Sequence, residues 1–456
     1  MTPSETKITL VRCPFINPLL PDIGLDSLAA FLRRQGRAVS AIDFNIEYTH
    51  HLGKDWKKDS HPPTPAQLND KAREILANSG QDYAEIVSRI LQSEPTVVGF
   101  SVWDCNTMVS LSVAEELKKI RKDIIIVFGG PECLPLRSGK TFANRDFIDF
   151  VVYGEGELTL NNLVESISRG ASTFDIPGLL TKRDGKILDS GPGEIIQDLN
   201  ELPFPDYTDY PLALYPDYKS LYVTFSRGCH CHCVYCSVPG TFKLRSRTAE
   251  TVFADINFQL LTHPETNRFH FCDANLNSCW EELLKLSEML ISSDLQITWA
   301  GFFSVSPLLG GAYFDALARS GCRTIVVGIE SASPKVMKKM GKTYSVEDAK
   351  RMIIAAHNAG IEIITNFIIA SPWEEEEDFN MTLKFIEEMR PYINQIGSKS
   401  MFWIETYAPI FKEYADAKGP KYIKTGNNVM TFQSGQPECA RIKRFDDFVG
   451  SLGYDI

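Results

Sequence analysis

Residues 221–240 read LYVTFSRGCHCHCVYCSVPG, a short strand-like run followed at once by Cys229, Cys233 and Cys236. The spacing C-x3-C-x2-C lets three thiolates reach one small inorganic core from a single loop. A 4Fe–4S cube has four irons and takes cysteine thiolates as ligands, so three sulfurs leave one iron open. An open metal position is where a reaction can begin. The interleaved His230, Cys231 and His232 also allow a structural zinc knuckle. Zinc closes a tetrahedron of four ligands, usually drawn from two separated pairs. No second C-x2-C or H-x3-H pair occurs elsewhere in the chain, which favours the cluster and leaves Cys231 a bystander.

The 456 residues are 44% hydrophobic, enough to fill more than one core. The net charge of −11 is spread along the chain and argues against a general nucleic-acid binder, which needs a basic surface. No apolar run approaches the ~20 residues that span a bilayer. The opening MTPSETKITLV lacks the basic and apolar regions of a secretory signal. Eleven clustered cysteines without such a signal point to a reducing compartment, the cytoplasm.

Upstream of the cysteine loop, KITLV, AVSAIDF, TVVGFSV, DIIIVFGG and FVVYGEGE alternate with amphipathic segments such as LDSLAAFLRRQ and SVAEELKKI. This rhythm predicts an α/β domain with a doubly wound, Rossmann-like parallel sheet. Ligands of such sheets sit outside the carboxyl ends of the strands. The candidates there are Ser101, Trp103, Asp104, Gly129, Gly130, Glu132, Gly154, Glu155 and Gly156. IPGLLTKRDGKILD reads as a hairpin turning at Asp184-Gly185. Next, LNELPFPDYTDYPLALYPDY carries four prolines and four tyrosines, which exclude a continuous helix and suggest a packed strap. Beyond it, about six further strand–helix repeats predict an incomplete parallel barrel with its active site at the carboxyl ends of the strands. The expected division is 1–195, a linker 196–216, a core 217–404 and a C-terminal segment 405–456.

The cysteine spacing directly after a strand, with Tyr235 before the last cysteine, resembles the signature loop of the radical S-adenosylmethionine superfamily. The resemblance implies a partial (β/α)6 barrel, a 4Fe–4S cluster on Cys229, Cys233 and Cys236, and S-adenosylmethionine at the open iron. Reductive cleavage would then give a 5′-deoxyadenosyl radical, with electrons from a donor such as flavodoxin or ferredoxin. Besides Tyr235, the S-adenosylmethionine contacts it implies are Asp273 and Asn275 in FHFCDANLN, and Glu330 and Ser331 in VVGIESAS. Ala370 and Pro372 in TNFIIASPWEEEEDF complete the set; Trp373 and Glu374 follow them, and the family's glycines are missing from this turn.

The succession PDIGLDSLAAFLRRQG, VVGFSVWDCN, IVFGGPE and VVYGEGELTLNNL resembles the cobalamin-binding domain found in one subgroup of that superfamily. It implies cobalamin held by the nine edge residues named above. The histidine motif D-x-H-x2-G of classical cobalamin domains is absent: PDIG supplies Asp22 and Gly24 only, and His50, His51 and His61 are poorly placed. RSRTAE also recurs in the subgroup, with Arg245 and Arg247 either neutralising an anion or simply solvated. The stretch 405–456 contains only Cys439, so it should cap the barrel without a second cluster. Together these parts imply a C-methyltransferase acting on an unactivated carbon of a small molecule or peptide. A rearrangement, ring contraction or oxidative cyclisation would use the same parts, and a non-catalytic metal-binding or redox-sensing protein is the reading from another class. No catalytic residue is legible.

Overall fold

The computed structural model describes residues 6–14, 19–51, 82–238, 242–402, 404–415, 422–425, 429–432 and 437–454. The chain divides into two compact units, Met1–Tyr218 and Lys219–Ile456.

The first unit is built on β1 (Lys7–Arg12), β2 (Ala38–Asp43), β3 (Val97–Ser101), β4 (Ile125–Gly129), β5 (Phe150–Val152), β6 (Leu179–Arg183) and β7 (Lys186–Asp189). Their order is β2-β1-β3-β4-β5-β6-β7, parallel through β5 and antiparallel over the last two. This is the doubly wound sheet the sequence implies, with the hairpin added at its edge. Asp184 and Gly185 both take positive φ, 51° and 73°, as a two-residue hairpin turn requires. Val98, Phe100, Ile126, Phe128 and Val151 are buried in one core with Val113 and Leu117 of the helix Thr107–Ile120. Fully apolar strands of this kind are expected where helices cover both faces.

The segment 196–216 packs within the first unit. Tyr207, Tyr210 and Tyr215 are buried there. Tyr215 donates to Asp43 at 2.6 Å, the Ala41 amide donates to Asp209 at 2.7 Å, and Arg33 pairs with Asp206 and Asp209. Proline blocks a regular element here, and buried phenols with charged partners hold the chain in its place.

The second unit carries six parallel strands: β8 (Ser220–Val223), β11 (Arg268–Phe271), β12 (Thr298–Phe303), β13 (Cys322–Glu330), β14 (Glu362–Ile369) and β15 (Gln395–Met401). They lie in the order β15-β14-β13-β12-β11-β8, each neighbour pair parallel. Six strands in simple succession form the incomplete barrel expected from the sequence, two short of a closed one. Helices Ala249–Thr262, Trp280–Ser292, Gly311–Arg319, Val346–Asn358 and Glu376–Met389 alternate with them. Their starts are written in the sequence: Thr248 caps the first, and Ser345 with Asp348 forms a capping box on the fourth. Between β8 and the first helix, β9 (Ser226–Arg227) and β10 (Arg245–Ser246) pair antiparallel and close off the cysteine loop. Later, β16 (Ile404–Glu405), β17 (Tyr422–Thr425) and β18 (Val429–Phe432) form a small antiparallel sheet, and helix Pro437–Ser451 follows.

One glycine decides the geometry of the first unit's edge. Gly130 has φ 103°, and a Cβ there would sit 2.8 Å from the Val102 carbonyl oxygen and 2.9 Å from its nitrogen. Gly130→Ala is therefore expected to destabilise the first unit by about 2 kcal/mol or more. Chemical denaturation should show this as an earlier transition.

Candidate functional site

In the order 2-1-3-4-5 the direction of winding switches between β1 and β3, and ligands of such sheets sit outside the carboxyl ends of strands at a switch of this kind. Asn106, fully buried, ties together the ends of β1 and β3. Its Nδ2 donates to Cys13 O at 3.2 Å and to Ser101 O at 3.0 Å, while its Oδ1 accepts from Trp103 N at 2.8 Å. The Trp103 backbone is thus fixed, yet its residue remains 42% exposed. Ser101 Oγ reaches Asp22 at 3.4 Å, and Asp22 caps the helix Ile23–Arg34. Arg12 stands between Asp22 and Asp43 at 3.7 and 3.5 Å. Burial opposes its charge, but the two carboxylates outweigh this and raise its pKa.

Gly129, Gly130 and Gly154 follow on the next strand ends. Gly154 has φ 83° and open space where a Cβ would stand. Together with Trp103 and Asp104 they present bare backbone and one exposed indole, a surface suited to a broad flat ligand such as a corrin. Glu132 and Glu155 are less exposed. Both are buried; Glu132 accepts from Ser138 and Glu155 from the Ile196 amide at 3.3 Å. Gly156 starts the helix Gly156–Arg169. His50 and His51 end the helix Phe44–His51, and His61 lies outside the described residues.

In the second unit the cysteine loop leaves β9 through Gly228, at φ 90°, where a Cβ would meet the Lys243 backbone at 2.7 Å. Its far side rests on backbone: Val234 N donates to Met340 O at 3.1 Å, and Val234 O accepts from Ile410 N at 3.0 Å. Gly341 also packs against it, since a Cβ there would be 2.5 Å from His232 O. Cys229, Cys233 and Cys236 are all half-buried. Cys231 is not remote from them. Its amide donates to Cys229 Sγ at 3.4 Å, and the two sulfurs interact so that the Cys231 pKa falls and that of Cys229 rises. Among the described residues no three His, Cys, Asp or Glu side chains converge to hold a single metal ion. The donor set, thiols on one short loop, suits a larger iron–sulfur core with one vertex left free.

The strand ends around this loop hold the other candidates. Asp273 turns toward the loop's own strand, accepting from Phe225 N at 3.0 Å, Ser226 Oγ at 2.6 Å and Ser226 N. Burial pushes its carboxyl up to about 6, against those hydrogen bonds. Asn275 Oδ1 accepts from Ser304 N at 2.9 Å, and its Nδ2 lies 3.7 Å from Cys231 Sγ. Glu330 stands at φ 67° and Ala370 at φ 64°, two non-glycine residues in the left-handed region at the ends of β13 and β14. Strain of this kind gathers at functional sites. Ala370 thus takes by force the conformation that a glycine would supply freely. Ser331 faces the protein, with Oγ accepting from Ser333 N at 3.2 Å. Pro372 is followed by Trp373, whose ring packs 5.3 Å from Phe402, and Phe402 packs 5.8 Å from Tyr235. So Tyr235, Asn275, Glu330 and the turn at 370–373 are drawn to the same end of the barrel as the cysteines.

Several residues here were not legible beforehand. Lys342, almost fully buried, places Nζ 3.5 Å from Glu330 Oε1, 3.3 Å from Gly328 O and 5.9 Å from the rings of Tyr235 and Tyr344. Burial alone would lower its pKa, yet Tyr344 and Glu330 raise it above the usual lysine range. Asn277 and Ser304 brace Asn275. Only the glycine before Lys342 hinted at a tight approach. Arg245 and Arg247 are corrected: neither is a solvated charge. Both are buried, and Arg247 pairs with Asp255 at 2.6 Å and donates to Thr224 O at 3.2 Å.

Comparison with known proteins finds a match in each unit. The radical SAM superfamily model matches residues 223–386, and the B12 binding domain model matches residues 66–164. The chain thus carries a radical SAM domain. A B12-binding domain precedes it in the sequence. An uncharacterized methyltransferase of Pyrococcus horikoshii is 29% identical over 316 residues, covering 67% of this chain and 67% of the relative. The anaerobic magnesium-protoporphyrin IX monomethyl ester cyclase of Rubrivivax gelatinosus is 23% identical over 342 residues, covering 73% of this chain but only 60% of the relative. The solved structure of OxsB, a cobalamin-dependent S-adenosylmethionine radical enzyme with aqua-cobalamin and S-adenosylmethionine bound, superposes with TM-score 0.76. It shares 15% identity and covers 98% of this chain and 67% of that one, a likeness of fold. The two domains imply a 4Fe–4S cluster, S-adenosylmethionine and cobalamin. Among the described residues no helix is long and apolar enough to cross a membrane.

Removing one half of the buried pair tests the barrel end. Lys342→Met leaves Glu330 without its cation and should cost about 3 kcal/mol of stability. It should also weaken S-adenosylmethionine binding in equilibrium titration, while Lys342→Arg keeps most of both.

Proposed function

We propose that this protein methylates an unactivated carbon of a small molecule or peptide. The observation that carries the proposal is the three-cysteine loop, closed by β9 and β10 at the carboxyl end of an open six-stranded barrel, in a chain that also has a B12-binding domain. Cys229, Cys233 and Cys236 hold the cluster, and Tyr235, Asn275, Glu330 and the Ala370–Pro372 turn surround S-adenosylmethionine. Ser101, Trp103, Asp104, Gly129, Gly130 and Gly154 form the floor for cobalamin. When bound, the cluster and S-adenosylmethionine supply a radical that takes a hydrogen atom from the substrate, and cobalamin supplies the methyl group that replaces it.

The chain's own residues orient and shield. Asp273 anchors the β8 end, so the cysteine loop starts from a fixed point. The Lys342–Glu330 pair puts a compensated charge beside Tyr235, where an amino-acid head group can be matched without exposing the site to water. Phe402 joins Tyr235 to Trp373 and excludes solvent from that wall. Electrons come from an external low-potential donor protein.

A second reading is supported by the cyclase among the relatives: the same parts would then rearrange or cyclise the substrate without adding carbon. Product mass separates the two, since methylation adds one CH2. Under strong reductant and without oxygen, the reconstituted protein is expected to form 5′-deoxyadenosine and S-adenosylhomocysteine. Alanine at Cys229, Cys233 or Cys236 should abolish 5′-deoxyadenosine and lower bound iron, with cobalamin binding retained. Iron content and turnover unchanged in the triple variant would defeat the proposal.

A further inference from the structure

The turn after β14 depends on a residue far along the chain. Ala370, in its left-handed conformation, donates its amide to Glu374 Oε2 at 3.0 Å, and Glu374 N donates to Ser371 O at 3.0 Å. The Glu374 side chain is 3% exposed, and its Oε1 has no hydrogen-bond partner among the described residues. A buried carboxylate of this kind needs a nearby cation to stay charged.

Arg441 provides it from helix Pro437–Ser451. Its Nη1 donates to Glu374 O at 2.8 Å and lies 3.8 Å from Glu374 Oε1. Other charges around this point are already engaged. Glu376 takes Arg444 at 2.7 Å and Arg441 Nε at 3.7 Å, and Asp378 takes Lys335 at 2.6 Å. Burial pushes the Glu374 carboxyl up to about 7, and Arg441 opposes that push while Asp378 adds to it. The helix does not need Arg441 in order to dock. Phe445 packs 5.9 Å from Phe367 of β14, the Arg444 guanidinium lies 5.0 Å over Phe379, and Arg390 donates to Leu452 O at 2.8 Å.

We propose that Arg441 is a positioning residue for S-adenosylmethionine: it keeps the Glu374 carboxylate charged and aimed at the Ala370 amide, and so fixes the turn. This rests on the assignment of the 370–373 turn to S-adenosylmethionine, and the two ideas fail differently.

The test uses the full chain. Hydrogen exchange across residues 366–376 is followed without ligand, and S-adenosylmethionine binding is measured by equilibrium titration of the reconstituted protein. Arg441→Ala should speed exchange in that segment and weaken binding about tenfold, the scale of one charge-assisted hydrogen bond. Arg441→Lys should recover part of both, and Arg444→Ala, which cuts the neighbouring pair with Glu376, should leave binding unchanged. Any pH step that Glu374 adds to binding should move upward in Arg441→Ala and vanish in Glu374→Gln. If Glu374→Ala weakens binding but Arg441→Ala leaves binding and exchange unchanged, the role of Arg441 is refuted and the turn assignment stands. If neither variant alters binding, the turn assignment itself falls, and the proposal with it.

Discussion

Three sulfurs on one loop can hold a metal core only if the loop's backbone does not collapse onto itself. Here that constraint is met by propping rather than by regular structure. The β9–β10 pair closes the base, Gly228 clears the Lys243 backbone, and the far side lies on Met340 and Gly341. Every other feature of the barrel end follows from where those props place the loop. Glu330 and Lys342 come from the segments flanking the prop at Met340, and Asp273 grips the strand from which the loop departs.

The sequence carried the broad features well. Alternating apolar runs and helical stretches gave both sheets, because burial on two faces leaves a periodic trace that local propensity reinforces. The Asp184-Gly185 turn was legible because two successive positive φ angles admit few residue pairs. The closeness of the cysteines was legible because C-x3-C-x2-C keeps all three on one short loop.

What escaped was long-range. Lys342 and Arg441 meet Glu330 and Glu374, partners that the fold brings near, and Asn106 joins local Ser101 and Trp103 to distant Cys13. Glu132 and Glu155 stand at the strand ends, and only the fold shows that Ser138 and the Ile196 amide donate to them. Asp273 shows the same limit. Its place at a strand end is local, while its hydrogen bonds to Phe225 and Ser226 are made across the sheet. The strap at 196–216 was read as packed, but which body it joins depended on Asp43, Arg33 and their partners.

The hairpin of β6 and β7 carries one more consequence. Without it, β5, only three residues long, would form the sheet's border with unpaired backbone groups. With it, the outermost rim is β7, a four-residue strand that is largely solvated and opens with Lys186. A foreign strand seeking to extend the sheet would find few free amides there and a cation at the first of them, so the rim guards against clumping between copies.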